Sequence, residues 1–397
     1  MEALPKKLRV LISAGGTAGH VLPALTVLNR LKTAAQRSSD EMSNSGQDLA
    51  EGRTQRDLEA LFVGEMGGME RELVTREGVR FEGIQAGAMH GVGAMRMARG
   101  VGKLLAGIAG AFAILGKFKP DVVFLTGGFV GVPVSVAAWL RRIPAVVYLP
   151  DIEPGLALKV MARFATKVAT TAEASAQFIA RTKMVVTGYP VREGFARVTR
   201  EQARAHFGIG LDEKVLLVVG GSKGALSINR AITANLQALL GDAGIRVIHI
   251  TGTRDWQEVR AAREALTPEL QERYLAFAYL HEDMADAMAA ANLAVCRSGA
   301  SSLGELPFLG LPAVLAPYPY AWRYQKVNAQ YLVDRGAAVL LEDARLGAEL
   351  APLVTQLLGD TERLSAMRRA LLTMSGRDGA SEIARLLIQV STQVQAA

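Results

Sequence analysis

Short apolar runs alternate with segments of helix length from the start of the chain to its last third. Parallel strands that are buried on both faces by helices produce this pattern. The pattern predicts ten strands, five in each half of the chain. They are LRVLISA, LEALFVG, DVVFLTGG, IPAVVYL and KMVVTG in the first half, and KVLLVVGG, IRVIHITG, LAVCRSG, LPAVLAPY and AAVLL in the second.

The alternation predicts an α/β protein with two doubly wound, Rossmann-like domains, one in each half. A chain of 397 residues exceeds one ordinary core and suits two domains of roughly 150–200 residues each. The segment VVTGYPVREGF at residues 185–195 is the natural linker. We therefore expect domains at residues 1–187 and 188–397, with an interdomain cleft as the default ligand site. The helical segment at about 346–394 is a candidate to cross back onto the first domain.

The composition favours anionic partners and gives no sign of nucleic-acid binding. Lys and Arg number 45 against 38 Asp and Glu, for a formal net charge of +7, which is a modest surplus. The sequence has no Lys/Arg-rich run, zinc-ligand spacing or aromatic–basic RNA motif. The single cysteine, Cys296, excludes an internal disulfide, suits a reducing cytoplasm and is expected to be an inert core thiol.

The sequence predicts a soluble or peripheral protein. The first residues contain no apolar signal-peptide core, and the longest uncharged apolar run, residues 104–116, is too short to span a bilayer. Residues 36–57 have almost no apolar side chains, so we expect a surface insertion between the first helix and the second strand. We assign no chemistry to that insertion.

Three strands are followed by glycine-rich segments that lead into a helix: SAGGTAGH at 13–20, TGGFVGVP at 126–133 and GGSKGALSINRA at 220–231. Such a turn presents backbone N–H groups and the positive end of a helix dipole, which suits a phosphate group. Tight packing between strand and helix also requires glycine, so one such segment alone is weak support. None has the G-x-x-x-x-G-K-[ST] pattern of an ATP-binding P-loop. The best phosphate site is formed by Gly220, Gly221, Ser222, Gly224 and Ala225.

Residues 296–332, CRSGASSLGELPFLGLPAVLAPYPYAWRYQKVNAQYL, give the strongest functional signal. Glu305 lies one turn into a predicted helix that Ser302 can cap. Its carboxylate either complements the helix dipole or accepts hydrogen bonds from both hydroxyls of a ribose. Gln325 and Asn328, three residues apart on one helical face, either reach the same ligand or cap helices. Spacing alone leaves both alternatives open.

The segments GGTAGHVLPA, TGGFVGVP, GYPVR, GGSKGALSIN, RSGASSLGEL and QKVNA occur in the order and spacing of one family. The chain resembles the MurG family, transferases that add N-acetylglucosamine from UDP-GlcNAc to undecaprenyl-pyrophosphoryl-N-acetylmuramyl-pentapeptide (lipid I) and form lipid II. The resemblance covers nearly the whole chain. It implies a GT-B fold, with UDP-GlcNAc in the C-terminal domain and lipid I in the N-terminal domain. It also implies an inverting reaction that needs neither a metal nor a cofactor.

On the donor side, the resemblance implies a set of contacts with UDP-GlcNAc. The glycine turn and Arg192 would hold the diphosphate, and the backbone of Leu280 would read uracil. Ser302 would meet a phosphate, Glu305 the ribose and Gln325 the sugar hydroxyls. The complete donor set is Arg192, Gly221, Ser222, Lys223, Leu280, Ser302, Glu305, Gln325 and Asn328.

On the acceptor side, the resemblance implies that the first two glycine-rich segments face the lipid. His20 is our candidate for the base that removes the acceptor proton, because an unperturbed imidazole has a pKa of about 6.5. The alternative is a histidine that caps the following helix or binds the loop backbone. The acceptor-side residues are Gly16, Thr17, Gly19, Gly127 and Gly128.

Several positions depart from the family pattern. Ala18 replaces a glycine of the usual GGTGGH, Lys223 replaces the glutamine of GGSQGA, and Arg323-Tyr324 replaces an acidic residue and a histidine. The family's H-E-x-N segment aligns with YLPD at residues 148–151, so its His and Glu are absent here. This change lies on the acceptor side and leaves the donor motifs intact.

Asp151-Ile-Glu153 superficially resembles the acidic metal motif of other sugar transferases. Because Pro154 and a predicted helix follow, a role at the start of that helix is the better interpretation. We predict no metal site.

Residues 89–120 mix basic side chains with large apolar ones. An amphipathic helix packed on the N-terminal sheet explains this pattern and is expected to bury most of the apolar residues. A basic, apolar surface that docks on an anionic membrane would show the same pattern. We call Arg96, Arg99 and Lys103 the basic rim. With the resemblance, it predicts a peripheral protein on the cytoplasmic face of the membrane.

The sequence therefore predicts an inverting GT-B hexosyltransferase of peptidoglycan biosynthesis. One alternative is another GT-B enzyme, such as a UDP-GlcNAc 2-epimerase or a transferase for a different glycolipid. A second alternative, left open by the altered 148–151 segment, is a catalytically inactive protein that binds nucleotide sugars.

Overall fold

A computed structural model describes residue 5 and residues 7–44, 57–86, 94–221, 224–242, 244–281, 283–320 and 324–395. The chain forms two compact units. Unit 1 consists of Met1–Val191 together with Arg377–Ala397, and unit 2 consists of Arg192–Gly376. The boundary expected at 187/188 lies four residues before this division, and the last helix belongs to unit 1 instead of continuing the second domain.

Unit 1 is built on a parallel sheet. Its strands are β1 (Lys7–Ser13), β2 (Asp57–Glu65), β3 (Arg80–Ile84), β4 (Val122–Leu125), β5 (Ala145–Leu149), β6 (Lys167–Thr170) and β7 (Met184–Val186). Their order is β3-β2-β1-β4-β5-β6-β7, so the winding direction reverses between β1 and β4. Every residue of β4 and β5 is buried, as parallel strands covered on both faces require.

The helices of unit 1 cover this sheet. They begin with α1 (Ala18–Asn44), α2 (Glu70–Arg76), α3 (Ala94–Phe118), α4 (Gly131–Leu140) and α5 (Leu156–Phe164), followed by a 3-10 helix at Glu173–Gln177. The insertion predicted at 36–57 therefore begins inside α1, which continues to Asn44. Residues 45–56 lie outside the described part of the chain.

Helix α3 differs from the sequence expectation. It packs on the rest of unit 1 through Ala111 and Leu115, each 1% exposed. Only 17% of the apolar stretch within Gly100–Phe118 is buried, however. The expectation that most of its apolar residues are buried is therefore wrong. The helix is longer than the uncharged run at 104–116, because it continues past a lysine at each end of that run. By length and composition alone, Gly100–Phe118 is long and apolar enough to cross a membrane. In the basic rim, Lys103 is exposed, whereas the side chains of its two arginines lie outside the described part.

Unit 2 is built on a second parallel sheet. Its strands are β8 (Val215–Val219), β9 (Arg246–Ile250), β10 (Tyr274–Phe277), β11 (Leu293–Cys296), β12 (Ala313–Leu315) and β13 (Ala338–Leu340). They lie in the order β10-β9-β8-β11-β12-β13, which reverses between β8 and β11. This is the same doubly wound arrangement as in unit 1.

The helices of unit 2 are mostly short. They are α6 (Gly194–Arg197), α7 (Arg200–His206), α8 (Leu226–Thr233), α9 (Trp256–Glu264), α10 (Pro268–Arg273), α11 (Met284–Ala290), α12 (Glu305–Leu309), α13 (Tyr324–Val333), α14 (Leu346–Gly359) and α15 (Thr361–Met374). A π-helix spans Ala238–Asp242, and 3-10 helices span Ala300–Leu303 and Asp343–Arg345.

The last helix, α16 (Gly379–Gln395), completes unit 1. It packs against α1, β4 and β5 and buries Ile383 and Leu387 fully. An ion pair of 2.7 Å joins Arg30 of α1 to Asp378 just before α16. Of the helices predicted at 346–394, α16 packs on the first unit, whereas α14 and α15 pack on α8 and α12 of unit 2.

The predicted fold class is confirmed, since each unit is an α/β layer structure around a parallel sheet. All ten predicted strands are present. Three further strands, β3, β6 and β10, were not predicted. β3 and β10 are edge strands, and neither is fully buried, so their apolar signal is weak.

Candidate active site

In each unit, the glycine-rich segments follow the two strands at which the winding reverses. Ser13 at the end of β1 pairs with Leu125 at the end of β4, so the segments 14–17 and 126–130 begin side by side. Val219 at the end of β8 pairs with Cys296 at the end of β11, which brings the segments 220–225 and 297–304 together in the same way. Ligands of doubly wound sheets bind outside the carboxyl ends of strands at this reversal.

His20 lies against both loops of unit 1. Its Nδ1 is 3.1 Å from the carbonyl oxygen of Gly15, which can only accept a hydrogen bond. Nδ1 therefore carries the proton, and Nε2 of the neutral ring is left as the basic nitrogen. The ring rests on Gly127, where an added Cβ would lie 2.5 Å from its Cδ2 and 2.8 Å from its Nε2. The hydrogen bond to the loop backbone, which was the alternative role expected for His20, is thus present. It also leaves Nε2 without a proton, as a base requires.

The two loops of unit 1 pack through their backbones. Gly128 has φ +83°, and a Cβ there would lie 2.5 Å from the carbonyl oxygen of Gly15. Gly127 has φ 135°, so both positions require glycine for conformation as well as for space. Gly16, Thr17 and Gly19 are exposed at the same edge. The five residues expected on the acceptor side therefore belong to two loops that pack on each other in unit 1, although Gly127 itself is buried.

The segment that replaces the family's H-E-x-N is largely buried. Tyr148 is fully buried, and its hydroxyl is 2.8 Å from Oγ1 of Thr171; burial raises its pKa well above its usual range. Leu149 is buried as well. Neither side chain can substitute for a ligand-facing histidine or glutamate.

The two acidic residues after β5 do not start the next helix. Glu153 has 11% side-chain exposure and an ion pair of 3.4 Å with Lys159. Helix α5 begins at Leu156 with Gly155 at its N-cap, so the helix-start role expected for Asp151 or Glu153 is wrong. Across the described residues, no group of three or more His, Cys, Asp and Glu side chains is placed to hold a metal ion.

In unit 2, the glycine turn that leads into α8 requires glycine at three of its described positions. Gly221 and Gly224 have φ of 83° and 78°, and a Cβ on Gly220 would lie 2.3 Å from the backbone nitrogen of Ala225. A Cβ on Gly221 would have no atom within 4 Å, so the turn has free space at this glycine. Ser222 and Lys223, two of the predicted donor residues, lie outside the described part of the chain.

Glu305 and Arg192 face each other in unit 2. Arg192 Nη2 lies 3.7 Å from Glu305 Oε1, and the glutamate side chain is 18% exposed. Burial raises the pKa of Glu305 to about 7, although Arg192 acts in the opposite direction. In the described structure Nε of Arg192 is buried without a hydrogen-bond partner. The pair therefore offers a carboxylate and guanidinium donors to a ligand at the end of β11.

Burial also sets the state of the cysteine beside this pair. It raises the pKa of the Cys296 thiol to about 12, with a further contribution from Glu305. The side chain is 7% exposed. A neutral, buried thiol agrees with the inert role expected from the sequence.

Of the remaining predicted donor residues, Gln325 keeps a hydrogen-bond donor for a ligand, whereas Asn328, Ser302 and Leu280 are buried. Gln325 Oε1 accepts from the backbone N–H of Tyr318 at 2.8 Å, which leaves its amide nitrogen to donate to a ligand. Asn328 is fully buried and donates to the carbonyl oxygen of Ser298 at 3.1 Å, so it braces the 297–299 segment. Ser302 is buried and donates to a backbone carbonyl, and Leu280 is 7% exposed after β10.

A polar cluster next to α8 was not recognised from the sequence. Arg297 donates from Nη1 to Asp343 at 2.5 Å and from Nη2 to Ser227 at 2.8 Å. Ser227, the second residue of α8, donates to Asp343 at 2.7 Å. The cluster fixes the first turn of α8 against the end of β11. Arg297 and Ser227 belong to recognisable motifs, but no pattern in the sequence marks Asp343 as their partner.

Two family models match the chain. The glycosyltransferase family 28 N-terminal domain matches residues 49–170, and the family 28 C-terminal domain matches residues 215–383. A relative from Roseiflexus sp. (strain RS-1) is 40% identical, over 97% of this chain and 95% of its own length. It is named UDP-N-acetylglucosamine--N-acetylmuramyl-(pentapeptide) pyrophosphoryl-undecaprenol N-acetylglucosamine transferase. The chain belongs to this family, the MurG glycosyltransferases.

Solved structures agree with the fold of the MurG family. The crystal structure of MurG from Acinetobacter baumannii is 23% identical, with a TM-score of 0.71 over 96% of this chain and 99% of that chain. A UDP-GlcNAc 2-epimerase from Neisseria meningitidis, bound to UDP-GlcNAc, has a TM-score of 0.62 at 15% identity over 98% of this chain and 100% of that chain. The predicted GT-B fold is thus confirmed. Because the epimerase shares it, the fold alone does not separate the two activities.

Proposed function

We propose that this chain transfers N-acetylglucosamine from UDP-GlcNAc to lipid I and forms lipid II in peptidoglycan biosynthesis. The observation that carries the proposal is the 40% identity, over 97% of the chain, to a relative named for this transfer. The two glycine-lined sheet edges fit a reaction in which both substrates carry a pyrophosphate. Unit 2 would bind the nucleotide sugar and unit 1 the lipid.

The reaction proposed is a single displacement with inversion. The 4-hydroxyl of the acceptor sugar attacks C1 of N-acetylglucosamine, and the bond from C1 to the phosphate oxygen breaks. The electron pair of that bond leaves with UDP, and the hydroxyl proton passes to Nε2 of His20. The hydrogen bond between His20 Nδ1 and Gly15, 3.1 Å long, supports this role because it makes Nε2 the acceptor.

The leaving UDP gains negative charge as the bond breaks. Arg192, whose guanidinium lies beside Glu305, and the N–H groups at the start of α8 would stabilise that charge. Glu305 would accept hydrogen bonds from the ribose hydroxyls, and the amide nitrogen of Gln325 would donate to the sugar. This donor set needs neither a metal nor a cofactor.

We further propose that unit 1 docks on the anionic cytoplasmic face of the membrane, where lipid I is held. Large apolar side chains are exposed on three successive helices of unit 1: Leu105 on α3 is 61% exposed, Trp139 on α4 57%, and Leu156 on α5 66%. Exposed apolar side chains on a unit that also exposes basic residues suit insertion at a lipid headgroup boundary.

Product analysis tests the transfer. The full chain is incubated with radiolabelled UDP-GlcNAc, with and without a lipid I analogue. We expect label in the lipid product and UDP release only when the acceptor is present. Label in UDP-ManNAc without acceptor would instead indicate an epimerase, and UDP-GlcNAc binding without any turnover would indicate an inactive binding protein.

A further inference from the structure

A continuous chain of hydrogen bonds lies buried beneath the glycine turn of unit 2. The Tyr274 hydroxyl is 2.6 Å from Nδ1 of His249, and Nε2 of His249 is 3.0 Å from Oδ1 of Asn229. Nδ2 of Asn229 donates to Oδ2 of Asp255 at 3.0 Å. All four residues are buried. The chain links β10 and β9 to α8 and to the turn before α9.

The direction of each hydrogen bond follows from its neighbours. Nδ2 of Asn229 also donates to the carbonyl oxygen of Thr251 at 2.9 Å, so the amide nitrogen faces two acceptors and Oδ1 faces His249. Burial lowers the pKa of His249 to about 3, which keeps the ring neutral. Nε2 therefore carries the proton, and Nδ1 accepts from Tyr274. Each group in the chain donates toward Asp255, where the chain ends on a carboxylate.

Asp255 connects this buried chain to the glycine turn and to an exposed cation. A Cβ on Gly224 would lie 3.2 Å from Oδ2 of Asp255 and 2.4 Å from the carbonyl oxygen of Thr251. The other carboxylate oxygen accepts from Nε of Arg254 at 3.0 Å. The Asp255 side chain is 5% exposed, whereas that of Arg254 is 65% exposed. A rigid anchor thus presents a solvent-facing guanidinium beside the turn.

The same guanidinium lies near the segment that contacts Gln325. The pKa of Arg254 is raised mainly by its hydrogen bond to Asp255, and Tyr318 contributes electrostatically. The backbone of Tyr318 is held by Gln325, the residue proposed to contact the sugar. Through Asp255, Arg254 is therefore held beside the glycine turn, the part of unit 2 proposed to bind the diphosphate.

We infer that Arg254 is a further binding residue for the β-phosphate of the nucleoside diphosphate, held in place by Asp255 and Asn229. This inference rests on the proposed function, since it requires UDP-GlcNAc to occupy unit 2. Arg254 adds positive charge where the leaving group becomes more negative, and its fixed Nε leaves the terminal nitrogens to donate to phosphate oxygens. Asn229 and His249 act through Asp255 and are positioning residues.

Calorimetry with UDP and UMP separates this role from a general effect on the fold. Because UMP lacks the β-phosphate, Arg254→Ala should weaken UDP binding about tenfold or more and leave UMP binding unchanged. Arg254→Lys should recover part of the loss, since it restores the charge but not the forked geometry. Arg260→Ala is the matched control, because Arg260 is exposed on α9 and paired with Glu264 at 2.7 Å; it should bind both ligands as the wild type does.

Two results would overturn the assignment. One is wild-type affinity for UDP in folded Arg254→Ala, and the other is an equal loss of UDP and UMP affinity. Failure of the wild-type chain to bind UDP would instead contradict the proposed donor. The wild-type titration therefore tests the proposed function separately from the role of Arg254.

Discussion

Glu305 allows a test in which pH replaces mutation. Its pKa is raised to about 7 by burial, so the carboxylate changes charge within the range where the protein can be studied. The ionised form accepts hydrogen bonds from both ribose hydroxyls, whereas the protonated form is a weaker acceptor and also a donor. Affinity for the nucleotide sugar should therefore rise with pH.

The size of the effect follows from the ionised fraction. With a pKa of about 7, about 3% of Glu305 is ionised at pH 5.5 and about 97% at pH 8.5, so the association constant should increase about 30-fold if only the ionised form binds the ribose. UDP-GlcNAc is the appropriate ligand, because its diphosphate has no proton that titrates in this range. Bound nucleotide would lower the pKa of Glu305 and leave a plateau above pH 8.

Isothermal titration at fixed ionic strength measures this dependence. Glu305→Gln keeps the size of the side chain and removes its charge, so its profile should be flat and its affinity at pH 8.5 lower by about 1.5–3 kcal/mol, the range for hydrogen bonds to a charged group. Glu305→Ala should lose a similar amount for UDP and UDP-GlcNAc together. A flat wild-type profile, or unchanged affinity in folded Glu305→Gln, would refute the ribose assignment.

The same pKa predicts an opposite effect on stability. A carboxyl group whose pKa is higher in the folded protein than in the unfolded chain favours folding when protonated, so its contribution is lost as pH rises from about 4.5 to about 7. Glu305→Gln should accordingly raise the melting temperature relative to the wild type at pH 8, and the difference should shrink toward pH 5. Thermal unfolding at both pH values checks this sign.

Three further predictions concern unit 1. His20→Ala should lower kcat by about 10²–10⁴-fold at saturating acceptor, with UDP-GlcNAc affinity near wild type; turnover within a few-fold of wild type, with chemistry rate-limiting, would exclude it as the base. Charge reversal of the basic rim should reduce sedimentation with anionic vesicles and leave UDP affinity intact, and wild-type sedimentation should fall as salt increases; salt-independent binding would argue against an electrostatic contact. Gly128→Ala should impair turnover because its Cβ would lie 2.5 Å from the Gly15 carbonyl oxygen, whereas at Gly19 the nearest atom is 3.6 Å away and Gly19→Ala should be tolerated; equal activities of the two variants would show that the loops need not pack closely.

The sequence predicted correctly those features whose pattern of apolar residues or glycines is complete within one strand or one turn. Continuous apolar runs predicted the buried central strands, and paired glycines predicted the turns at Gly127–Gly128 and Gly220–Gly221. Positive φ requires glycine at Gly127, Gly128 and Gly221. Strand β6, Lys167–Thr170, has the sequence KVAT, in which Val168 is the one large apolar residue. It therefore shows no apolar run and is identified only by its neighbours in the sheet.

Properties that depend on distant partners could not be read from the sequence. Asn328 shares a helical face with Gln325, yet it is fully buried and braces a backbone carbonyl. Spacing gives the face of a helix but not the element that covers it. The partnership of Arg297 with Asp343, 46 residues apart, likewise exists only in the folded unit. The exposure of α3 was missed because an apolar helix has the same composition whether protein or lipid covers it.

The return of α16 to unit 1 has a consequence for synthesis of the chain. Unit 2, Arg192–Gly376, is continuous, whereas unit 1 is interrupted by it. At about 5–20 residues per second, α16 leaves the ribosome roughly ten to forty seconds after Val191 has been made. During that interval the faces of α1, β4 and β5 that α16 will cover have no partner, and unit 2 is free to fold first. Nascent unit 1 is therefore the part of this protein most exposed to aggregation and most in need of chaperone protection, until its final helix arrives.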